Sequence, residues 1–246
     1  MTAWPGAWVA VLIGTAALAA ATLAAVTGFG GAAVLLPVLV GVFGIRDAIP
    51  ILTVAQLIGN GSRVYFNRRE LDLRVVAWYC LGAIPLGLLG GFLFAGAPLR
   101  GLTRLLGVFL ILIVAWRHRP RRSAPRTFPV ATFAAIGGGA SLLSALLGSV
   151  GPLMAPLFLT YGLAKGAYIG TEALATVVTH VAKLVAYQRA NVFSWREATI
   201  GLALGPVMVL GSYFGKRITD RLPVRTFTVL IELTMLAAGA TFAIRG

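Results

Sequence analysis

The stretch Thr27-Gly28-Phe29-Gly30-Gly31, followed by Pro37, interrupts a long apolar run of the sequence. A second stretch of the same kind, Gly148-Ser149-Val150-Gly151-Pro152 with Pro156, lies one half-chain later. Glycine and proline weaken or break helices, and backbone groups without hydrogen-bond partners are costly in hydrocarbon unless they line a cavity. These two stretches, called here the first break (27–31) and the second break (148–152), are therefore predicted to line a cavity or contact a ligand.

The composition predicts an all-α membrane protein with several spans. Of its 246 residues, 59% are hydrophobic and 11% are charged, and the mean hydropathy is +0.90, whereas soluble domains are about 45–50% apolar and about 25% charged. Many apolar runs approach the roughly 20 residues that cross a bilayer. Aromatic residues near the ends of these runs, among them Tyr79, are expected at the membrane interface. We predict apolar helices near residues 7–26, 31–45, 48–66, 75–96, 102–116, 128–147, 152–163, 167–188, 197–215 and 226–244.

The sequence argues against several other classes of function. The net charge of +14 comes largely from arginines in short loops between apolar runs, which is typical of cytoplasmic loops rather than of a nucleic-acid-binding domain. Cys80 is the single cysteine, so no intramolecular disulfide forms. The sequence has no metal-ligand spacing, no nucleotide-binding loop and no serine-hydrolase motif. We therefore expect neither an enzyme nor a bound cofactor or metal.

The two halves of the chain resemble each other. The residues that coincide after a shift of about 120 positions include Gly28 with Gly148, Gly31 with Gly151, Asn60 with His180, Arg63 with Lys183 and, with a small gap, Gly90 with Gly211. We predict a first repeat at 1–116 and a second at 128–246, joined by a basic linker at 117–127. Each repeat is expected to hold a glycine-broken helical hairpin followed by three transmembrane helices.

The number of crossings predicts how the repeats are related. If the hairpins at 7–45 and 128–163 return to their starting side, whether they cross fully or are re-entrant, each repeat crosses an odd number of times and the two repeats are inverted. About two-thirds of the basic residues outside the spans then fall on the side of the linker, as expected of a cytoplasmic face. We therefore predict a bacterial inner-membrane protein with a cytoplasmic linker and both termini in the periplasm.

The breaks have the properties of an anion site. The start of a helix carries unpaired N–H groups and about half a positive charge, so a small anion can bind there. The glycines permit close approach to the backbone, and the threonine and serine offer hydroxyl groups. The alternative is that the glycines only permit close packing of helices. The residues predicted to contact the substrate at the breaks are Thr27, Gly28, Gly30, Gly31, Ser149 and Gly151.

Two polar stripes complete the predicted site, because ionisable groups within spans usually face a cavity or a partner. Arg63 and Lys183 could instead extend to the interface, and His180 could be a hydrogen-bonded core residue. Glu172 is a candidate for coupling as a proton carrier, or a salt-bridge partner of Lys165. The first stripe begins at Thr53, and its members predicted to bind the substrate are Gln56, Asn60 and Arg63. The second stripe begins at Glu172, and its members predicted to bind the substrate are Thr176, His180 and Lys183.

The breaks carry a resemblance to a known family, the sulfite exporter TauE/SafE family of membrane permeases. Its members are short chains of two related halves, each opening with a glycine-rich break followed by proline. The first break with Pro37 matches this pattern well, and the second break with Pro156 matches it more loosely, with Val150 where the first half has Gly30. The resemblance covers essentially the whole chain. It implies transport of small sulfur-containing or carboxylate anions, such as sulfite, sulfonates or sulfoacetate-like compounds, with export common.

We therefore predict a secondary transporter that exports small sulfur-containing anions by alternating access. Its expected partners are the anion and the lipid bilayer, with protons or sodium as the candidate coupling ion. Three alternatives stay open: a carboxylate-anion permease, a passive anion channel, and a non-transporting subunit of a larger membrane complex. Nothing in the sequence indicates the oligomeric state.

Overall fold

The computed structural model describes residues 6–28, 31–117, 128–163 and 165–218, together with residues 236, 240, 243 and 244. Within these ranges the chain consists of helices and turns, with no strand. The helix bounds agree with the predicted segments to within about one turn, whereas most of the predicted linker and of the last predicted segment lies outside the described residues. The helices are α1 (Ala7–Thr27), α2 (Gly31–Phe43), α3 (Ile45–Phe66), α4 (Leu73–Gly96), α5 (Leu99–Arg117), α6 (Thr132–Leu147), α7 (Gly151–Thr160), α8 (Lys165–Arg189), α9 (Trp195–Ala203) and α10 (Gly205–Ile218).

Four stretches are long and apolar enough to cross a membrane by length and composition: α1, α4, α8 and the stretch Trp195–Ile218 that α9 and α10 form together. α3 is of similar length, at 22 residues, but carries the buried polar side chains Gln56, Asn60 and Arg63. Polar groups within a membrane usually face the protein interior, in agreement with the contacts that α3 makes on several sides. These features are those of a multi-pass membrane protein with polar central helices.

Both predicted breaks are present as helix ends. α1 and α6 end directly before Gly28 and Gly148, and α2 and α7 begin at Gly31 and Gly151. Gly28 and Gly148 have φ of 78° and 86°, in the left-handed region that glycine adopts without a steric penalty and that commonly ends helices. Each break therefore turns the chain through a glycine and starts a new helix at the same offset in both halves.

Proline does not interrupt the short helices. α2 continues through Pro37 and α7 through Pro156. A proline removes one hydrogen-bond donor, and membrane helices tolerate this loss where neighbouring groups compensate. The predicted ninth segment is instead divided into α9 and α10 at Leu204. Pro206 has no N–H to donate to the Leu202 carbonyl. That carbonyl accepts from the Leu204 N–H instead.

The two halves pack with a helix of each half lying along a helix of the other. α1 of the first half packs along α10 of the second, and α6 of the second half packs along α4 of the first. These contacts are close: a Cβ at Gly90 would lie 2.9 Å from the Leu142 carbonyl oxygen, and a Cβ at Gly215 would lie 2.5 Å from the Thr22 carbonyl oxygen. Thr22 and Leu142 are related by the shift of 120 positions. Gly90 and Gly215 therefore make equivalent contacts, so the counterpart of Gly90 in the second half is Gly215 rather than Gly211.

α3 and α8 lie at the centre of the molecule and pack against each other. The helices that follow the breaks, α2 and α7, pack on α3 and α8 respectively. α3 also contacts α9 and α10, and α8 also contacts α4 and α6, so each central helix touches the opposite half. Since α3 and α8 carry the two polar stripes, the breaks and the stripes come together between the halves.

Candidate functional site

A cavity lies between the two breaks, beside the central helices. The space in it that is open to water is about 30 Å³, more than the roughly 10–15 Å³ that one water molecule needs. Residues from both breaks and from both stripes form its wall. The predicted site residues that line the cavity are Gly31, Gln56, Asn60, Arg63, Ser149, Gly151 and Thr176, together with the coupling candidate Glu172.

The other predicted site residues that the structure describes do not line this cavity. The Thr27 hydroxyl donates to the Leu23 carbonyl oxygen of its own helix at 3.0 Å. Gly28 packs under an aromatic ring, because a Cβ there would lie 2.3 Å from Cε1 of Tyr168. His180 and Lys183 are buried outside the cavity wall, and Gly30 lies outside the described residues.

Arg63 lies between the end of α1 and the cavity. Its Nη1 donates to the carbonyl oxygens of Gly28 at 2.9 Å and Ala24 at 3.3 Å, and lies 3.4 Å from Oε2 of Glu172. Its Nη2 donates to Oδ1 of Asn60. The last carbonyls of a helix lack intrahelical partners and carry partial negative charge. Arg63 therefore caps α1 and also presents positive charge to the cavity.

Lys183 makes the corresponding contacts in the second half. Its Nζ donates to the Gly148 carbonyl oxygen at 2.9 Å, to the Ser144 carbonyl oxygen at 3.3 Å and to Ser144 Oγ at 3.0 Å. Ser144 and Gly148 lie 120 positions after Ala24 and Gly28, the residues that Arg63 contacts. The two cations therefore cap equivalent helix ends, one in each half.

Neither cation extends to the membrane interface. Arg63 is 5% exposed and Lys183 is 0% exposed, so the alternative in which these side chains reach for the interface is wrong. A buried charge is costly unless it is paired and hydrogen-bonded. The helix-end carbonyls supply those hydrogen bonds in both halves, which explains why two cations are retained inside an apolar protein.

Two amide groups in the cavity wall have hydrogens to donate and no acceptor among the described residues. Nδ2 of Asn60 and Nε2 of Gln56 are buried, and neither has a hydrogen-bond partner within the described part of the chain. Because an arginine only donates, the contact from Arg63 identifies Oδ1 of Asn60 as the acceptor and leaves Nδ2 free. Buried donors without a partner are rare, so these two point to a ligand that accepts hydrogen bonds.

His180 is also buried, and it has no hydrogen-bond partner in the part of the chain that the structure describes. Neither of its ring nitrogens makes a hydrogen bond to a described residue, so the alternative of a hydrogen-bonded core histidine is wrong within that part of the chain. No group of three or more His, Cys, Asp or Glu side chains among the described residues is arranged to hold a metal ion.

Glu172 pairs with Arg63 rather than with Lys165. Its Oε2 lies 3.4 Å from Arg63 Nη1, its Oε1 accepts from the Thr176 hydroxyl at 3.1 Å, and its side chain is 5% exposed. Lys165 is exposed at the start of α8, so the salt bridge considered between Lys165 and Glu172 is absent. The carboxylate instead lies in the cavity wall, joined to the first half of the chain.

Sequence reasoning missed several side chains of the wall. Tyr79, expected at the membrane interface, is buried nearly two turns inside α4, and its hydroxyl lies 3.4 Å from Thr179 Oγ1. Ser144 lines the cavity one turn before the second break, where a hydroxyl in an apolar run was the available signal. No pattern within α4 alone indicates that Tyr79 meets α8, because that contact depends on how the halves pack.

The family model described as Sulfite exporter TauE/SafE matches residues 12–242. The chain belongs to the TauE/SafE family. Both breaks, both stripes and the cavity fall within the matched TauE/SafE region, which covers nearly the whole chain and confirms the resemblance found from the breaks. No curated protein and no solved structure matches the chain. Membership in TauE/SafE implies a membrane transporter of sulfur-containing anions, in a family of transporters rather than of enzymes.

Proposed function

We propose that this TauE/SafE protein is a secondary transporter that exports a small sulfur oxyanion or sulfonate, which binds in the cavity between the two breaks. The observation that carries the proposal is that Arg63 and the amide groups of Gln56 and Asn60, whose hydrogens have no acceptor among the described residues, share the wall of one cavity. A guanidinium and neutral N–H donors bind oxyanions through charge-assisted hydrogen bonds. The direction of transport rests on the family description alone.

The helix starts at the cavity favour an anion over a cation. α2 and α7 begin at Gly31 and Gly151, and both glycines line the cavity. Helix starts carry unpaired N–H groups and partial positive charge. The Gly151 N–H donates to Ser149 Oγ at 3.4 Å, so one donor of the second break is already engaged.

We further infer that the repeats are inverted and that one moves against the other. The equivalent capping by Arg63 and Lys183 supports an approximate two-fold relation through the cavity. The packing of α1 along α10 and of α6 along α4 supports the same relation. In transporters built from inverted repeats the substrate site lies at the repeat interface, and rocking of the repeats alternates access to it.

The distribution of basic residues supports an inner-membrane orientation. Arg68, Arg69 and Lys216 lie at one end of α3, where Lys216 donates to the Phe66 carbonyl oxygen. Arg46 lies at the other end, about 33 Å away for a helix of this length, and Arg196 lies there too, paired with Asp47. The end with more basic residues is assigned to the cytoplasm. We therefore propose that the linker at 117–127 is cytoplasmic and that both termini are periplasmic.

Counterflow in proteoliposomes tests the transport proposal. Purified protein is reconstituted into liposomes loaded with sulfite, a sulfonate or a simple carboxylate, and uptake of labelled substrate is followed. We expect sulfite or sulfonate on the inside to accelerate uptake from the outside. Imposed proton and sodium gradients then identify the coupling ion.

Each alternative gives a different result in the same assay. A carboxylate permease would exchange carboxylates in preference to sulfur-containing anions. A passive channel would conduct without counterflow, and a non-transporting subunit would show no flux when it is purified alone. Any of these results would contradict the proposed function.

A further inference from the structure

The proposed anion site already contains one carboxylate. Among the described residues of the cavity wall, Arg63 is the only base and Glu172 is the only acid. The two side chains come from opposite halves, and each is 5% exposed. Glu172 is held from both sides, since Oε2 lies 3.4 Å from Arg63 Nη1 and Oε1 accepts from the Thr176 hydroxyl at 3.1 Å.

The hydrogens of Arg63 limit what can be added beside this pair. The Nη1 group of Arg63 also donates to Gly28 and Ala24, and its Nη2 group donates to Asn60. Nη1 has two hydrogens and already faces three acceptors within 3.4 Å, namely Gly28, Ala24 and Glu172. A substrate anion therefore gains a hydrogen bond from Nη1 only if one of these acceptors leaves.

The acceptor that can leave is the carboxylate. The Gly28 and Ala24 carbonyls are fixed at the end of α1, whereas Glu172 has a flexible side chain and a second partner in Thr176. We propose that Glu172 is the resident counter-ion of the anion site, and that the substrate binds by replacing its carboxylate on Arg63. This inference rests on the proposed function and adds to it the identity of the group that competes with the substrate.

The exchange of anions explains how the empty site tolerates Arg63. An unpaired guanidinium in a buried site is costly, so a transporter that had released its substrate would carry an uncompensated charge. The return of Glu172 to Arg63 removes that charge. The empty protein can therefore reorient without substrate, and occupied and empty sites present the same number of negative groups to Arg63.

The Glu172→Gln variant tests the exchange because it keeps the shape of the side chain and removes its charge. A charge-assisted hydrogen bond is about twice as strong as a neutral one, so we expect the half-saturating sulfite concentration in counterflow to fall by about tenfold, measured at one fixed pH. Net efflux into sulfite-free buffer should fall relative to counterflow, because the empty site then carries an unpaired charge. A purely structural role for Glu172 would not change this ratio.

A second variant and a matched control complete the test. Glu172→Asp keeps the charge but withdraws it by one methylene, and we expect a half-saturating concentration between those of the wild type and Glu172→Gln. Asp47→Asn removes an acid from an exposed pair, 2.8 Å from Arg196, and should leave the value unchanged.

The outcomes separate the two proposals. If the wild type shows no counterflow with sulfite or sulfonates, the transport function is wrong. If the wild type transports and a folded Glu172 variant has an unchanged or higher half-saturating concentration, the transport function stands and the role of Glu172 as resident counter-ion is wrong.

Discussion

Arg63 and Lys183 have the same structural task and different relations to a ligand. Both donate to carbonyl oxygens at the end of a broken helix. The guanidinium of Arg63 has five donors in a planar fork, enough to cap α1 and also to contact Asn60 and Glu172. The ammonium of Lys183 has a single nitrogen, which is directed at Ser144 and Gly148. We infer that the first half supplies the charge of the site and the second half chiefly holds its break in place.

Replacement of Lys183 should reduce the stability of the protein more than replacement of a surface lysine does. In Lys183→Met the Gly148 and Ser144 carbonyls lose their buried donor, at a cost of about 1–3 kcal/mol for each buried group left without a partner. We expect a lower Tm of the purified protein in detergent. Lys165→Met, at an exposed lysine, is the control, and equal Tm values for the two variants would contradict the capping role. Lys183→Arg should recover part of the loss, because Arg63 fills the equivalent position.

The free amide of Asn60 should contribute to substrate affinity. A hydrogen bond to a charged group contributes about 1.5–3 kcal/mol, so Asn60→Leu should raise the half-saturating sulfite concentration by roughly tenfold or more. Thr53→Val is a matched control on the same helix, because Thr53 is buried and donates to the Ile49 carbonyl oxygen of its own helix at 2.7 Å. Similar values for Asn60→Leu and the wild type would remove Asn60 from the proposed site.

Which polar residues lie inside the molecule was predictable, but which of them face the cavity was not. Gln56, Asn60 and Arg63 share one face by helical spacing alone, and the structure places all three in the wall. His180 and Lys183 follow the same spacing on α8 and lie outside the wall. The difference arises from packing between the halves, since the rotation of α8 depends on its contacts with α3, α4 and α6.

At the scale of helices, the contact between α4 and α6 depends on small residues. A Cβ at Gly137 would lie 2.2 Å from the Tyr79 carbonyl oxygen, whereas a Cβ at Gly139 would meet nothing within 4 Å. We expect Gly137→Ala to destabilise the protein by about 1–3 kcal/mol through overpacking, measured as a lower Tm. It should also reduce sulfite counterflow, because Tyr79 lines the cavity.

Gly139→Ala is the control on the same helix. It makes the same chemical change two residues away and should leave both Tm and counterflow close to those of the wild type. If Gly137→Ala behaves like Gly139→Ala, the close approach of α4 and α6 is not required for stability.

The sequence was sufficient to locate the helix breaks but not every helix end. Gly28 and Gly148 are required where the chain turns with positive φ, so glycine in an apolar run was a reliable signal. Prolines were a poor signal, because Pro85 lies inside the continuous helix α4 whereas Pro206 follows the turn between α9 and α10. The same residue has two outcomes because neighbouring helices decide whether the lost hydrogen bond is compensated.

At the scale of the whole molecule, the proposed orientation can be tested by labelling. Cys80 is first replaced by alanine, and a single cysteine is then introduced in place of Arg69 or of Trp195. Both residues are exposed, and they lie at opposite ends of the molecule. In spheroplasts of an expressing bacterium, a membrane-impermeant maleimide should label the cysteine at position 195 and should label that at position 69 only after lysis. The reverse pattern would invert the proposed topology, and labelling of both positions would contradict a single orientation.

α1 is the first described helix to leave the ribosome, and its main packing partner, α10, is the last described helix to be made. Until α10 is made, the small-residue face of α1 around Ala21 and Ala25, which later touches Gly211 and Gly215, is covered by lipid or by an insertion factor. We therefore expect the first half to be inserted before its packing is complete. A chain that stops before α10 is therefore expected to be a target for membrane proteases, and translation of the second half completes the folding of the first.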